Sequence, residues 1–239
     1  MYYLMRAVSN RLIRFAESRQ YYSVKDFFGI FKIWQILKIR KYPEKYNVED
    51  IINFAYNWAD GLIRPFQDKN EISKLCNIVY EIKPLVVLEI GTANGGTLFL
   101  FCCIAAENAK IISLDLPVSN SIFRIPIYKS FCSKNQCMHL IRNDSHKKET
   151  LTKVKNILRG EKIDFLFIDG DHTYEGVKED FKMYGPLVKT NGLIAFHDIT
   201  NLVPGCDVMR FWNEIKKDYE IIEILNDNKY GGIGIIINR

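Results

Sequence analysis

The stretch 163–199, IDFLFIDGDHTYEGVKEDFKMYGPLVKTNGLIAFHDI, decides the fold. It opens with an apolar run, Phe165 to Ile168, whose shortness and lack of polar alternation predict a strand buried on both faces of a parallel sheet. Asp169, Asp171 and His172 follow where that strand ends, and α/β folds seat ligands at the carboxyl ends of parallel strands. From about Tyr174 to Tyr184 the spacing predicts a helix, with Val177, Phe181 and Tyr184 on one face and Lys178, Glu179, Asp180 and Lys182 on the other. Gly185-Pro186 interrupts it, and Asn191-Gly192 predicts a turn. A second apolar run, Leu193 to Phe196, ends in His197 and Asp198. A strand–helix–strand crossover sets the two acidic tips side by side, and together they can seat a hard divalent cation.

Upstream, Leu85 to Ile90 predicts another buried strand, running into Glu89-Ile-Gly91-Thr92-Ala93-Asn-Gly95-Gly96-Thr97. Glycines after a strand let the backbone turn tightly and approach a ligand, and a helix from about Gly96 to Ala106 points its positive end there. The strand Lys110 to Leu114 ends in Asp115, about 20 residues past the glycine turn, the spacing at which a carboxylate meets ribose hydroxyls. These two signals indicate a nucleotide-type ligand and fit a nicotinamide-dependent oxidoreductase as readily as other nucleotide users.

Further strands are expected at Met138 to Ile141, with the tip Arg142-Asn-Asp144-Ser145, and at Glu220 to Leu225 and Ile233 to Ile237, the last two as an antiparallel hairpin. Helices are expected over Val48 to Trp58, Glu71 to Ile82, Ser119 to Cys132 (broken by Pro126), Lys148 to Leu158 and Pro204 to Tyr219, the last with Val208, Phe211, Trp212 and Ile215 inward. Gly61 to Gln67 is an irregular segment that could reach over a site.

At 239 residues the chain suits one α/β domain with an appendage. Its net charge of +5 leaves room for an anionic ligand, but Lys and Arg are spread along the chain and no RNA-binding signature accompanies them, so nucleic acid is not expected as a partner. Six cysteines show neither CxxC pairs nor zinc spacing and read as reduced thiols of a cytoplasmic protein. No apolar run approaches a membrane span, and the N-terminus lacks a compact apolar signal core. Residues 1–46 mix aromatic and basic residues, and Phe27, Ile30, Trp34 and Leu37 can form one amphipathic stripe. Two readings are open for this region. Its helices either pack on the main domain or a second subunit, a homodimer being the simplest assembly, or attach peripherally to an anionic membrane.

The blocks VLEIGTANGGT and FIDGDHTYEGVKED…GLIAFHD resemble those of the class I S-adenosylmethionine-dependent methyltransferases. The resemblance is greatest to the metal-dependent O-methyltransferases of small molecules and sugars, a group holding catechol and macrolide-sugar O-methyltransferases and cephalosporin hydroxylase-like proteins. It spans about residues 61–237. It implies an α/β fold with a Rossmann-like seven-stranded sheet, mostly parallel with a reversed C-terminal hairpin and helices on both faces. Residues 1–70 then form a helical cap, lid or oligomerisation segment, and residues 71–239 the cofactor-binding domain.

By the resemblance, Glu89, Gly91 and Gly95, with Thr92 and Ala93 between them, shape the pocket for the methionine part of S-adenosylmethionine. Asp115 holds its ribose, and Asp144 and Ser145 flank its adenine. Asp169 stands beside the cofactor and at a metal position, with the pair His197-Asp198 as the other metal positions. The usual pair there is acidic or Asp-Asn. His197 departs from that, leaving open whether it is a ligand and whether the ion is magnesium, the first expectation, or manganese or another metal. His172, three residues after Asp169, takes the place of a general base for deprotonating an acceptor hydroxyl. A catalytically silent binding protein keeping the same fold is a further reading. Asp171 reads equally as a turn or helix cap, and His139 and His146 as structural or exposed.

Overall fold

The computed structural model describes residues 27–117, 124–200, 203–226 and 230–239. Seven strands, β1 (Val86–Ile90), β2 (Lys110–Asp115), β3 (Cys137–Arg142), β4 (Ile163–Ile168), β5 (Val188–His197), β6 (Glu220–Ile224) and β7 (Ile233–Ile237), form one sheet in the order β3-β2-β1-β4-β5-β7-β6. The first five run parallel, while β7 enters antiparallel between β5 and β6, giving the expected reversed hairpin. All residues of β1 and β4 are buried, which is why they read as unbroken apolar runs. The chain reverses its direction of growth between β2 and β4 on either side of β1, and such a switch point opens a crevice at the carboxyl ends of the strands.

Helices α1 (Ile33–Lys41), α2 (Val48–Asn57), α3 (Lys69–Ile82), α4 (Gly96–Ile104) and α5 (Arg124–Lys129) contribute to the core on one face; α6 (Lys148–Leu158), α7 (Tyr174–Tyr184) and α8 (Val208–Ile215) cover the other. On the first face Ile52, Ala55, Leu75, Phe99 and Phe101 pack with Val87, Phe165 and Phe167 of the sheet. On the second, Val177, Tyr184, Phe211 and Trp212 pack with Leu88, Leu166 and Phe196. Helix α4 is apolar nearly all round because it is sandwiched between the sheet, where Phe101 meets the rings of Phe165 and Phe167 edge-on, and α2 and α3 outside it. The core thus continues across residue 70, and the described part of the N-terminal segment is a layer over the sheet. The helices start where capping chemistry allows. Asn47 and Asp50 cap α2 reciprocally, Asp68 accepts from the Asn70 and Glu71 amides of α3, and the Thr173 side chain accepts from Gly176 N of α7.

Three expectations are corrected, and the open orientation of the N-terminal stripe is resolved. Asn191-Gly192 is not a turn between elements. It lies inside β5, where Asn191, at φ +61°, forms an irregularity that shifts the pairing with β4, and Asn191 N donates to Asn238 O at 2.7 Å. Pro126 does not break its helix: α5 runs through it from Arg124 to Lys129. The remainder of that expected helix, before 124, lies largely outside the described residues. Helix α8 starts at Val208 rather than Pro204, because Gly205 sits at φ +91° and cannot continue a right-handed helix, and it tightens into a 3-10 turn after Ile215. In the N-terminal region, Ile36, Ile39 and Arg40 face inward, whereas Phe27, Trp34 and Leu37 of the expected stripe face solvent. On the inward face the Arg40 guanidinium donates to Gln136 Oε1 at 2.7 Å.

Candidate active site

A cavity of about 800 Å³ opens at the carboxyl ends of β1 to β5, large enough for a nucleotide-sized ligand and a small second molecule. Each strand delivers its tip: Gly91 after β1, Asp115 from β2, Asp144 and Ser145 after β3, Asp169 and His172 after β4, and His197-Asp198 at the end of β5. The loop ahead of α3 adds Phe66 and Gln67, so the 61–67 segment does reach over the site.

The half under β1 and β2 is made mostly by backbone. Gly91 has φ +95°, and a Cβ there would stand 2.0 Å from the Asp169 carbonyl oxygen, so only glycine lets the two strand tips meet. Asp115 is held facing the cavity by two amides, Ala93 N to Oδ2 at 3.1 Å and Leu116 N to Oδ1 at 2.8 Å. Gly95, at φ +79°, opens α4, and a Cβ there would fall 2.3 Å from the Tyr128 ring. Glu89 is fully buried and accepts from Thr97 Oγ1 at 2.5 Å, and burial pushes its carboxyl up to about 8. Glu89 and Gly95 therefore stand behind the cavity wall, while Thr92 lines a small recess beside it and shares a 2.5 Å hydroxyl contact with Ser113. Asp144 Oδ1 accepts from His146 N at 2.9 Å, and Ser145 O from the Tyr184 hydroxyl at 2.6 Å, which fixes the β3 tip.

The half under β4 and β5 is made of charged side chains. Asp169 Oδ2 accepts from Gln67 Nε2 at 2.5 Å, and its Oδ1 lies 3.2 Å from His197 Nδ1 and 3.5 Å from His172 Nε2. Asp198 adopts φ +65°, a left-handed conformation that costs a non-glycine residue about 1 kcal/mol, and this turns its carboxylate into the cluster. Its Oδ2 lies 2.7 Å from His172 Nδ1 and its Oδ1 3.4 Å from His197 Nδ1. Ligand atoms of Asp169, His197 and Asp198 all lie within 4.8 Å of one another. Although His197 is buried among carboxylates, neither ring nitrogen makes a well-aligned hydrogen bond. Burial works against its cation, but the two aspartates outweigh it and hold the imidazole up at about 10. His172 is raised as well, chiefly by its hydrogen bond to Asp198.

Two carboxylates and an imidazole with unsatisfied nitrogens are a donor set that could hold a divalent cation once the cation displaces the imidazole's proton. His172, Asp198 and Cys206 converge in a second such group, but burial pushes the Cys206 thiol up to about 11, so it is protonated and a weak donor. Asp171 serves the turn into α7, its Oδ1 accepting from Thr173 N at 2.9 Å.

Three contributors escaped the sequence reading. Glu71 is buried, its Oε1 accepting from Gly232 N at 2.9 Å and from Asn226 Nδ2, while its Oε2 has no hydrogen-bond partner and lies 4.0 Å from His197 Nε2. Its signal was available: Glu71, Leu75 and Val79 are four residues apart, so a carboxylate sits on the apolar stripe of α3. Gln67 had no signal beyond its irregular segment. His146, read as structural or exposed, lines the cavity and lies 3.3 Å from the buried Asp180, which raises it to about 9.

Residues 88–199 match a family model described as a methyltransferase domain. Among curated proteins, R132 of Acanthamoeba polyphaga mimivirus is 32% identical over 148 residues, 59% of this chain and 63% of that protein. A second, y4gI of Sinorhizobium fredii, is 25% identical over 144 residues, 58% of this chain and 16% of that protein. The chain therefore spans less than two thirds of the length of either relative. Among solved structures, an O-methyltransferase from Bacillus cereus in complex with SAH superposes with TM-score 0.54 at 18% identity, covering 80% of this chain and 90% of that one. Cofactor-bound Rv0187 from MTB gives 0.56 at 16% identity, covering 81% and 98%. The O-methyltransferase TomG from Streptomyces achromogenes, in complex with SAM, gives 0.51 at 11% identity, covering 81% and 91%. At these identities the likeness is one of fold.

Strand order and reversed hairpin give the chain the fold of these methyltransferase structures, and its central residues 88–199 match the methyltransferase-domain model. The O-methyltransferases among its structural neighbours share that seven-stranded frame, and the sequence-based expectation of the fold is met in full.

Proposed function

We propose that the protein is an S-adenosylmethionine-dependent O-methyltransferase acting on a hydroxyl of a small molecule or sugar, assisted by a divalent cation, magnesium first and manganese next. The observation that carries this reading is one cavity whose two ends differ in kind: a glycine turn with Asp115 and Asp144 at one, and Asp169, His172, His197 and Asp198 at the other.

Gly91 and Ala93 give close backbone approach to the methionine portion, with Asp115 accepting from the ribose hydroxyls and Asp144 and Ser145 beside the adenine. Asp169, Asp198 and the Nδ1 side of His197 converge on one point and would hold the cation. A cation held there would lower the pKa of an acceptor hydroxyl and help to orient its oxygen. His172 receives the hydroxyl proton: its Nδ1 is turned to Asp198, leaving Nε2 on the side of Asp169, and the Asp198 carboxylate stabilises the imidazolium that results. Gln67 holds the Asp169 carboxylate in place from the opposite wall. Oxygen gains the methyl as the sulfonium bond breaks, and the proton resides on His172.

The test is transfer of label from methyl-labelled S-adenosylmethionine to a panel of catechols and glycosides, with magnesium and with chelator. Labelled product that disappears in chelator is expected. Full activity in chelator would remove the cation from the account, and failure to bind S-adenosylmethionine under either condition would remove the activity.

A further inference from the structure

The N-terminal layer presents an apolar ridge that the fold leaves on the surface. Phe28, Phe31, Trp34 and Leu37 are 62, 66, 61 and 50% exposed, and the Phe27 ring meets those of Phe28 and Phe31 edge-on. The orientation is fixed from beneath. Ile36, Ile39 and Arg40 are buried, and Gly29 is pressed so closely on Leu62 and Ile127 that a Cβ there would stand 2.4 Å from Leu62. An apolar ridge of this size on a seated support differs from the scattered apolar residues of an ordinary surface.

Charge identifies what it meets. Lys32, Lys38 and Lys41 are exposed on the same segment, and α1 contains no acidic residue. Basic residues are spread along the whole chain, but acidic ones are not: residues 1–45 hold ten Lys and Arg against three Asp and Glu, and the remaining residues hold 23 against 25. The net charge of +5 is therefore generated by this segment alone. Aromatic and aliphatic side chains flanked by lysines suit the headgroup layer of an anionic bilayer, where nearby lysines add electrostatic attraction. A second copy of the chain fits poorly, since a two-fold contact would set the lysines against one another with no acid on α1 to pair them.

We propose that the face formed by residues 27–41 docks the protein on an anionic lipid surface, with Phe28, Phe31 and Trp34 entering the headgroup layer and Lys32, Lys38 and Lys41 contacting lipid phosphates. Trp34 makes this directly testable, because the other two tryptophans, Trp58 and Trp212, are only 4 and 1% exposed. The full chain is titrated with vesicles of phosphatidylglycerol mixed with phosphatidylcholine, and with phosphatidylcholine alone, following tryptophan emission and co-sedimentation. A blue shift and co-sedimentation are expected with the anionic vesicles only, weakening with salt. Binding should fall by about tenfold or more in Lys32→Glu/Lys38→Glu and in Phe28→Ser/Phe31→Ser, with thermal midpoints unchanged because these side chains are exposed. Absence of binding, or equal binding to both vesicle types, overturns the proposal. So does a dimer in sedimentation velocity that Phe31→Ser dissociates and vesicles do not affect, which would give the face to a second copy.

Discussion

The two halves of the cavity solve opposite problems. Under β1 and β2 the wall is backbone, with one carboxylate, Asp115, held by two amides, and the side chains that matter most are the ones missing at Gly91 and Gly95. Under β4 and β5 two carboxylates and two imidazoles crowd together, braced by Gln67 and by the buried Glu71. The first half can be rigid and nearly neutral because its assigned ligand brings its own charge. The second packs two carboxylates against two imidazoles whose protonated forms they favour, so a metal cation seated there would take the place of a proton. On the proposed function, the cavity separates holding the methyl donor from activating its acceptor.

If that division is right, variants in the two halves should fail differently. The largest effect is expected for Asp169→Asn, which keeps the side-chain shape and removes a charge from the cation position: methyl transfer should fall by about a thousandfold or more while the dissociation constant for S-adenosylmethionine changes little. Parallel losses in both would blur the comparison. Gly91→Ala should come next, since the new methyl meets the Asp169 backbone: a destabilisation of about 3 kcal/mol, read in urea unfolding, together with lost cofactor binding.

A smaller, cleaner effect is expected for Asp115→Ala, weakening S-adenosylmethionine binding by about 2 kcal/mol in calorimetry and leaving cation binding intact. Glu89→Gln should be the mildest in weak acid. The wild-type carboxyl keeps its proton up to about 8 in the folded state, whereas the unfolded chain releases it near its ordinary value of about 4.3. The unfolded state therefore binds fewer protons between these values, and stability falls as pH rises through that window. The glutamine variant should lack this slope, its stability matching wild type near the acid end and exceeding it near the alkaline end in denaturant titrations at stepped pH.

The halves also differed in how much of them could be read from sequence. The glycine turn, Asp115 and the tips Asp169 and His197-Asp198 were legible because each follows an apolar strand directly, and a parallel sheet carries all such tips to one edge. Gln67 and Glu71 were not recognised because they arrive from another layer, and only the packing of α3 against the β7 side brings Glu71 to His197. Glu89 and Gly95, expected to shape the pocket, lie next to its lining residues without lining it themselves: Glu89 is fully buried and Gly95 caps α4. Asn191-Gly192 misled because a turn dipeptide can equally be absorbed as an irregularity within one long strand. At the ridge the sequence left two readings open because α1 has two apolar faces, and which one turns inward is set by contacts distant in the chain, such as that of the buried Arg40 with Gln136, 96 residues away.

The central claim is that Asp169, His197 and Asp198 form a cation seat beside the methyl donor. Manganese titration followed by electron paramagnetic resonance of the free ion, on the wild-type chain and on Asp198→Asn, tests it most directly. The account predicts one tight manganese site per wild-type chain, abolished in the variant while S-adenosylmethionine still binds. Absence of a stoichiometric site in the wild type, or an undiminished site in Asp198→Asn, would contradict it.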